Sequence, residues 1–391
     1  MKWKNRGHEY DDVYQRISEK KSFYLFGAGD YGKQFMHIFQ SEIQIKGYID
    51  NDSSMRGTMI NGKPCNFLEE ISLGRNEGIV VTMSQTARVS ALEQLKTSGY
   101  KKNVEYFIIE EFLSVYHVYK NNKVYFSSIS FLPSTICNLN CRHCLNFNPF
   151  AGQFYVREWK ELVQDIDLFF SCVDRIMLFH VSGGEPMLYK YTADLLEYID
   201  KNYGDRIDTL RTVTNGTIVP KEEILQKLSM CHVEITVDDY RDKIPQFRTQ
   251  FDELIRRLEE YHIKYFINKA DSWIDLAPER TDYTSWTEEK LIRHRENCNQ
   301  SWQELRGGKI YSCNYAAYAT VAGITGEQNL EEVYDLSAFS SDKKKELVEF
   351  RLGYTTKGYT GFCRRCRGFT LENSEGVEPA VQLTQRICSE K

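Results

Sequence analysis

Apolar and polar positions along the first third of the chain change period in step, two by two and then at helical spacing. Phe23-Tyr24-Leu25-Phe26 is a short strand-like run. Gly27-Ala28-Gly29-Asp30-Tyr31-Gly32 closes it, and Lys33 to Gln40 follow at helical spacing. Ile45 to Asp50 and Ile79 to Met83 predict further strands, Val89 to Thr97 a helix and Val104 to Ile109 one more strand. Residues 1–116 therefore predict a small parallel α/β domain behind a polar lead-in. From Val124 the alternation restarts, with strands at 128–134, 175–182, 208–214, 232–238 and 263–268 and amphipathic stretches at Trp159 to Phe170 and Ile224 to Met230. Such a βα repeat over residues 124–289 predicts a full or partial TIM-type barrel. Residues 290–391 are Cys-, Gly- and Tyr-rich, Gly307-Gly308 predicts a hairpin, and Lys343-Lys344-Lys345 reads as a solvated helix face.

Strand parity nominates side chains for the barrel interior. In the second barrel strand Met177, Phe179 and Val181 suit the surrounding helices, so Leu178, His180 and Ser182 point inward. In the fourth, Val233, Ile235 and Val237 pack outward and Glu234, Thr236 and Asp238 face the cavity. Glu234 and Asp238 become catalytic candidates, because a carboxylate inside a barrel is costly without a purpose. His180 reads either as a catalytic or substrate contact or as a satisfied structural histidine, and Arg211 as an anion contact or an ordinary salt bridge.

Charge narrows the classes. The 391 residues carry 50 Lys plus Arg against 55 Asp plus Glu, a net charge of −5, which argues against a nucleic-acid binder relying on bulk positive charge. The first twenty residues lack the apolar core of a secretory signal, and no apolar run approaches the ~20 residues of a membrane helix. The expectation is a cytoplasmic protein without a membrane partner, in which the eleven cysteines are not disulfides.

Three of those thiols lie in Cys137-Asn138-Leu139-Asn140-Cys141-Arg142-His143-Cys144. A C-x3-C-x2-C loop can wrap a metal centre: zinc with His143 or His180 as a fourth ligand, or a 4Fe-4S cluster with one open iron. The loop follows a first strand and is succeeded by Ser182-Gly183-Gly184-Glu185-Pro186, Thr214-Asn215-Gly216 and Glu234-Ile235-Thr236-Val237-Asp238. In that order the motifs resemble the radical S-adenosylmethionine (SAM) superfamily. The resemblance implies a partial (β/α)6 barrel in which Cys137, Cys141 and Cys144 hold a 4Fe-4S cluster whose unique iron chelates SAM. It implies His143 near the adenine, Ser182, Gly183, Gly184 and Glu185 near the methionine end, and Thr214 and Asn215 near the ribose or carboxylate. A flavodoxin- or ferredoxin-like electron donor is the implied partner.

Cys298 and Cys313 flank fourteen residues, and Cys363-Arg364-Arg365-Cys366 follows after forty-nine more. Four thiols so arranged can close a zinc or a cluster coordination sphere. Beside a radical SAM motif the spacing resembles a twitch domain, the shortened form of the SPASM extension, which implies an auxiliary 4Fe-4S cluster. Such a cluster accepts an electron from a substrate radical or staples the C-terminal region. Cys65, Cys172, Cys231 and Cys388 read as small buried hydrophobes, unless one donates a hydrogen atom.

Gly27-x-Gly29-x-x-Gly32, with Asp50 ending the next strand, meets the dinucleotide fingerprint, yet the unit is short for two mononucleotide halves. With Gly47-Tyr48-Ile49-Asp50-Asn51-Asp52 and Ile60-Asn61-Gly62-Lys63-Pro64 it resembles the Rossmann-like domain of sugar-modifying and polysaccharide-biosynthetic proteins. That resemblance implies a carbohydrate or nucleotide-sugar held by Gly27, Gly29, Gly32 and Asp50, the alternative being a scaffold turn. The expected activity is hydrogen abstraction from such a substrate, leading to oxidation, epimerisation or dehydration. The alternatives are a radical SAM peptide-modifying maturase and a non-catalytic zinc-binding interaction protein.

Overall fold

The computed structural model describes residues 1–39, 41–84 and 87–387, so Gln40 and Cys388 lie outside the described residues. The chain divides into two compact units, Asn5–Lys123 and Met1–Lys4 with Val124–Lys391.

In the unit Asn5–Lys123 helix α1 (Asp11–Glu19) precedes a sheet of β1 (Ser22–Phe26), β2 (Gln44–Ile49), β3 (Met59–Ile60), β4 (Lys63–Asn66), β5 (Glu77–Val81) and β6 (Tyr106–Ile108). The sheet order is β3-β4-β2-β1-β5-β6, parallel except for the β3-β4 hairpin. Helices α2 (Asp30–Phe39), α3 (Arg88–Thr97) and α4 (Ile109–Lys120) connect or follow the strands. The apolar runs become strands buried on both faces, as parallel sheets require: Phe26, Ile49, Ile79 and Val81 share one core with Ala91 and Leu95 of α3. The pattern placed a strand through Ile109, where the structure begins α4. Ile108-Ile109 belong to an apolar stretch too short for period alone to separate strand from helix, and Phe112, Leu113 and Val115 then bury the helix.

The second unit is built on β7 (Tyr125–Phe131), β8 (Arg175–Val181), β9 (Ile207–Thr214), β10 (Val233–Asp238) and β11 (Lys264–Asn268), all parallel. Helices α5 (Trp159–Cys172), α6 (Thr192–Tyr203), α7 (Glu222–Ser229) and α8 (Arg248–Glu260) alternate with them. This is a partial TIM-type barrel. Strand β7 lies earlier than the predicted 128–134, because Pro133 lacks the N–H a ladder needs. The sixth parallel strand, β13 (Glu304–Arg306), pairs with β7 rather than beyond β11, giving the order β11-β10-β9-β8-β7-β13-β14-β15. The strands β14 (Lys309–Tyr311) and β15 (Val333–Asp335) run antiparallel. Gly307 and Gly308 take φ of 59° and 71°, the backbone a two-residue hairpin turn needs, and their amides donate to Asp165 of α5 at 2.7 and 2.6 Å. A two-stranded ladder of β12 (Trp273–Ile274) and β16 (Gly376–Val377), with α9 (Glu288–Glu296), α10 (Asn314–Val321) and α11 (Lys344–Arg351), completes the unit. Among the described residues no helix is long and apolar enough to cross a membrane.

Candidate active site

The loop after β7 wraps on itself: the Cys144 amide donates to the Cys141 carbonyl at 3.1 Å and Phe147 to Cys144 at 2.9 Å. Cys137, Cys141 and Cys144 are free thiols. Burial pushes Cys137 and Cys141 up to about 12, and the charges of the neighbouring thiols add to the rise. Buried thiols of this kind become thiolates when metal displaces the proton.

The segment after β8 lies flat against this loop. The Gly184 amide donates to the Ser134 carbonyl at 3.0 Å and the Glu185 amide to Ile136 at 2.6 Å. A Cβ on Gly184 would stand 2.3 Å from the Ile136 oxygen and 2.4 Å from that of Thr135, so only glycine permits the approach. Gly183 accepts from the Asn146 side chain, and Ser182 Oγ lies 3.2 Å from Ser130 Oγ and from the Tyr318 hydroxyl.

Glu185 is the hub of the arrangement. Its carboxylate accepts from the Met187 amide at 3.0 Å, the Thr214 hydroxyl at 2.9 Å and the Asn215 amide at 2.7 Å. Burial lifts it to about 7 against those three donors. Asn215 in turn reaches Asn138 Oδ1 at 3.1 Å, so the ends of β8 and β9 are tied to the thiol loop through short polar steps. Glu185, Thr214 and Asn215 are thus linked to the loop of Cys137, with Gly184 packed against its start, while Ser182 sits with Ser130 and Tyr318. His143 Nδ1 lies 3.4 Å from Asp275 Oδ1, in the segment after β12.

Inside the sheet one register row runs Glu304, Ser130, His180, Arg211, Glu234, Lys264 across six strands. Glu234 accepts from Arg211 Nε at 2.8 Å and pairs with Lys264 Nζ at 2.7 Å, and its pKa is lowered because these two cations outweigh the cost of burial. His180 packs edge-on against Trp302 at 5.5 Å and its buried Nδ1 has no hydrogen-bond partner. Burial, helped by the charge of Arg211, lowers its pKa to about 4, so the ring is neutral near pH 7. Asp238, at the top of β10, accepts from Tyr240 at 2.8 Å and Asn268 at 2.7 Å, and burial raises its pKa despite both donors.

Cys298, Cys313, Cys363 and Cys366 line one small cavity with His294, Arg295 and Phe362 among its walls. Three sulfurs have nearby donors: Phe369 N to Cys298 at 3.3 Å, Gly368 N to Cys366 at 3.3 Å, and the Thr360 hydroxyl 3.4 Å from Cys363. Burial raises Cys313 to about 11, with Arg295 pulling the other way. Arg295 precedes Cys298 on the end of α9 and donates to the carbonyls of Gln300 and Ser312. No group of three or more His, Cys, Asp or Glu side chains among the described residues is arranged around a single metal ion. Four thiols spread around a cavity, with amide donors and one cation, fit a cluster, which carries its irons apart.

In the other unit the glycines divide by role. Gly27 takes φ +116° with Thr82 O 2.6 Å from its notional Cβ, and a Cβ on Gly32 would lie 2.1 Å from the Gly27 oxygen. Gly29 has nothing within 4 Å. Asp50 accepts from the Ala28 amide at 2.8 Å and the Asp52 amide at 3.0 Å, so its carboxylate braces the loop. Cys65 and Cys172 are buried and Cys231 is partly so, the last two in or just after helices of the outer layer.

Residues 131–271 match the family model described as Radical SAM superfamily, and this stretch is the chain's radical SAM domain. The family uses a 4Fe-4S cluster and S-adenosylmethionine. Among solved structures the chain is similar to native anSMEcpe with bound AdoMet and Kp18Cys peptide, at 19% identity and TM-score 0.31, covering 37% of this chain and 43% of that one. It is similar to Streptococcus suis SuiB at 19% identity and TM-score 0.31, covering 46% and 39%. It is also similar to BtrN in complex with AdoMet and 2-DOIA at 15% identity and TM-score 0.41, covering 64% and 97%. The chain thus spans less than half the length of anSMEcpe and SuiB. No curated protein matches it.

Proposed function

We propose that this radical SAM enzyme abstracts hydrogen from a carbohydrate or nucleotide-linked sugar, with oxidation, epimerisation or dehydration as the outcome. The observation that carries the substrate class is the register row Ser130, His180, Arg211, Glu234 and Lys264, which sets a hydroxyl, an imidazole and both signs of charge side by side on the barrel strands, ending at the exposed Lys264. The unpartnered His180 Nδ1 and the Arg211–Glu234–Lys264 cluster, which can exchange partners with hydroxyls and an anion, suit a polyhydroxylated, anionic substrate better than an apolar side chain.

In this reading Cys137, Cys141 and Cys144 hold the SAM-binding cluster, and Cys298, Cys313, Cys363 and Cys366 an auxiliary one. When bound, the reduced cluster would supply the one electron that splits SAM into methionine and a 5′-deoxyadenosyl radical. The chain orients and protects: Gly184 lets the segment after β8 close against the thiol loop where the methionine end would bind, Glu185 fixes Thr214 and Asn215, and Arg211 with His180 positions the substrate. Asp238, at the end of β10 and held by Tyr240 and Asn268, is the candidate for handling a proton there. Within the second unit we assign residues 124–289 to the barrel and 290–391 to a twitch/SPASM-like extension, and we assign residues 1–116 to a Rossmann-like sugar-nucleotide domain. A flavodoxin- or ferredoxin-like protein in the cytoplasm supplies the electron.

Anaerobic reconstitution tests the assignment. About eight irons per chain are expected from two four-iron clusters, about four would remove the auxiliary one, and a colourless zinc protein would overturn the proposal. With dithionite and SAM, deuterium from a labelled nucleotide-sugar is expected in 5′-deoxyadenosine. Label transfer from a peptide alone would replace the carbohydrate by a peptide substrate.

A further inference from the structure

The far end of the chain returns to the first thiol loop. Residues 380–383 lie antiparallel along residues 140–142, with Arg142 N donating to the Val381 carbonyl and Leu383 N to that of Asn140, both at 2.8 Å. Asn140 Nδ2 adds a bond to the Leu383 carbonyl at 3.1 Å. Ala380, fully buried and at φ 54°, turns the segment into this course, a conformation alanine adopts only when its surroundings impose it.

At the centre stands Gln382. Its Oε1 accepts from the Asn140 amide at 2.8 Å, and its Nε2 donates to the Ala380 carbonyl at 2.7 Å and to Cys141 Sγ at 3.2 Å. The orientation of the amide is fixed chemically, because flipping it would set NH2 against the Asn140 N–H and oxygen against the Ala380 carbonyl. A glutamine 241 residues away in sequence is therefore locked with a donor on the sulfur of one of the three loop cysteines.

We propose that residues 380–383 are a strap completing the cluster loop, and that Gln382 is a positioning residue that sets how easily the cluster held by Cys137, Cys141 and Cys144 is reduced. The inference rests on the assignment of that cluster to those thiols. An N–H aimed at a coordinating sulfur favours the state with more negative charge, which is the reduced one, and hydrogen bonds to sulfur are among the determinants of cluster potential. The strap also covers Cys141, which is only 9% exposed, and so limits water at that sulfur.

The test is potentiometric EPR of the reconstituted enzyme, following the signal that changes on addition of SAM, in wild type, Q382M and Q382E. Q382E keeps the size and the acceptor for Asn140 while removing the amide donor, so it reports even if Q382M does not fold. At the wild-type midpoint the reduced-to-oxidised ratio is expected to fall about tenfold in either variant, equivalent to about 59 mV for one electron. Hydrogen exchange in peptides spanning 140–142 and 380–383 is expected to speed up in Q382M. Unshifted midpoints with unchanged exchange would overturn the strap and leave the cluster assignment standing. A wild-type protein that takes up no iron at the three thiols would refute the underlying assignment instead.

Discussion

A single buried carboxylate has a readable pH signature. Glu304 is fully buried, accepts from the Leu132 amide at 2.8 Å and the Tyr318 hydroxyl at 3.2 Å, and is pushed by burial from 4.5 up to about 7. Between those values the folded chain keeps a proton that the unfolded chain has released. Stability contributed by this residue therefore falls as pH rises from about 4.5 to about 7 and is flat above, at most about 1.4 kcal/mol for each unit. E304Q, which stays neutral, is expected to flatten that part of the stability curve in chemical denaturation between pH 4.5 and 8; an unchanged slope would show that Glu304 is not the source. Glycines give a second residue-scale contrast. G184A must move backbone carbonyls 2.3 and 2.4 Å from the new carbon, with an expected cost of about 1–3 kcal/mol and loss of SAM binding by equilibrium dialysis. G29A meets nothing within 4 Å and is expected to keep or raise stability by about 0.4–1 kcal/mol, while weakening any nucleotide-sugar bound against its backbone. Thermal unfolding and ligand titration of the two variants separate packing from binding.

Strands turn such residues into a site. Parity had set Glu234 toward the cavity because a carboxylate there needs a reason, and the register supplies one: Arg211 and Lys264 stand on either side of it. If Glu234 only pins neighbouring strands, E234Q is expected to lower stability by about 1 kcal/mol and leave 5′-deoxyadenosine formation and deuterium transfer largely intact. If it handles substrate, transfer falls by a hundredfold or more while thermal stability stays near wild type. Measuring both on the same preparation decides. What could be read beforehand follows the reach of each interaction. The thiol loop, the Gly183-Gly184-Glu185 segment and the Gly307-Gly308 hairpin are local patterns, and the barrel strands announced themselves by period. The part of Glu185 as a hub was hidden because two of its donors come from Thr214 and Asn215 on the next strand. Strand β13 is three residues long with charges at both ends, too short for any period, and its place beside β7 is a matter of topology. Arg295 did carry a local signal, a cation one helical turn before Cys298, whereas Gln382 carried none.

At the scale of the molecule, iron and stability belong to one unit. Every thiol proposed as a ligand lies in Val124–Lys391, and one apolar cluster holds Cys313 and Cys366 together with the Phe147 ring, after Cys144, which meets the Phe362 ring, before Cys363, at 5.4 Å. Phe147 is held at φ 57°, a left-handed backbone unusual for a bulky residue, so the contact depends on the loop keeping its wrapped form. Removing the clusters leaves seven thiols, four buried and three half-buried, to reprotonate and takes away binding energy that existed only in the folded state. Chelation under anaerobic conditions is therefore expected to lower the unfolding temperature of this unit and to speed hydrogen exchange at 137–147, 298–313, 360–369 and 380–383 together. Peptides from 22–39 and 77–81, in the sheet unit of Asn5–Lys123, are expected to exchange at unchanged rates, because none of the proposed ligands lies there. Exchange that quickens equally in both units would mean that they unfold as one and that the iron supports the whole chain. Acceleration confined to 137–147 would mean that the four-thiol cavity holds its form without a cluster.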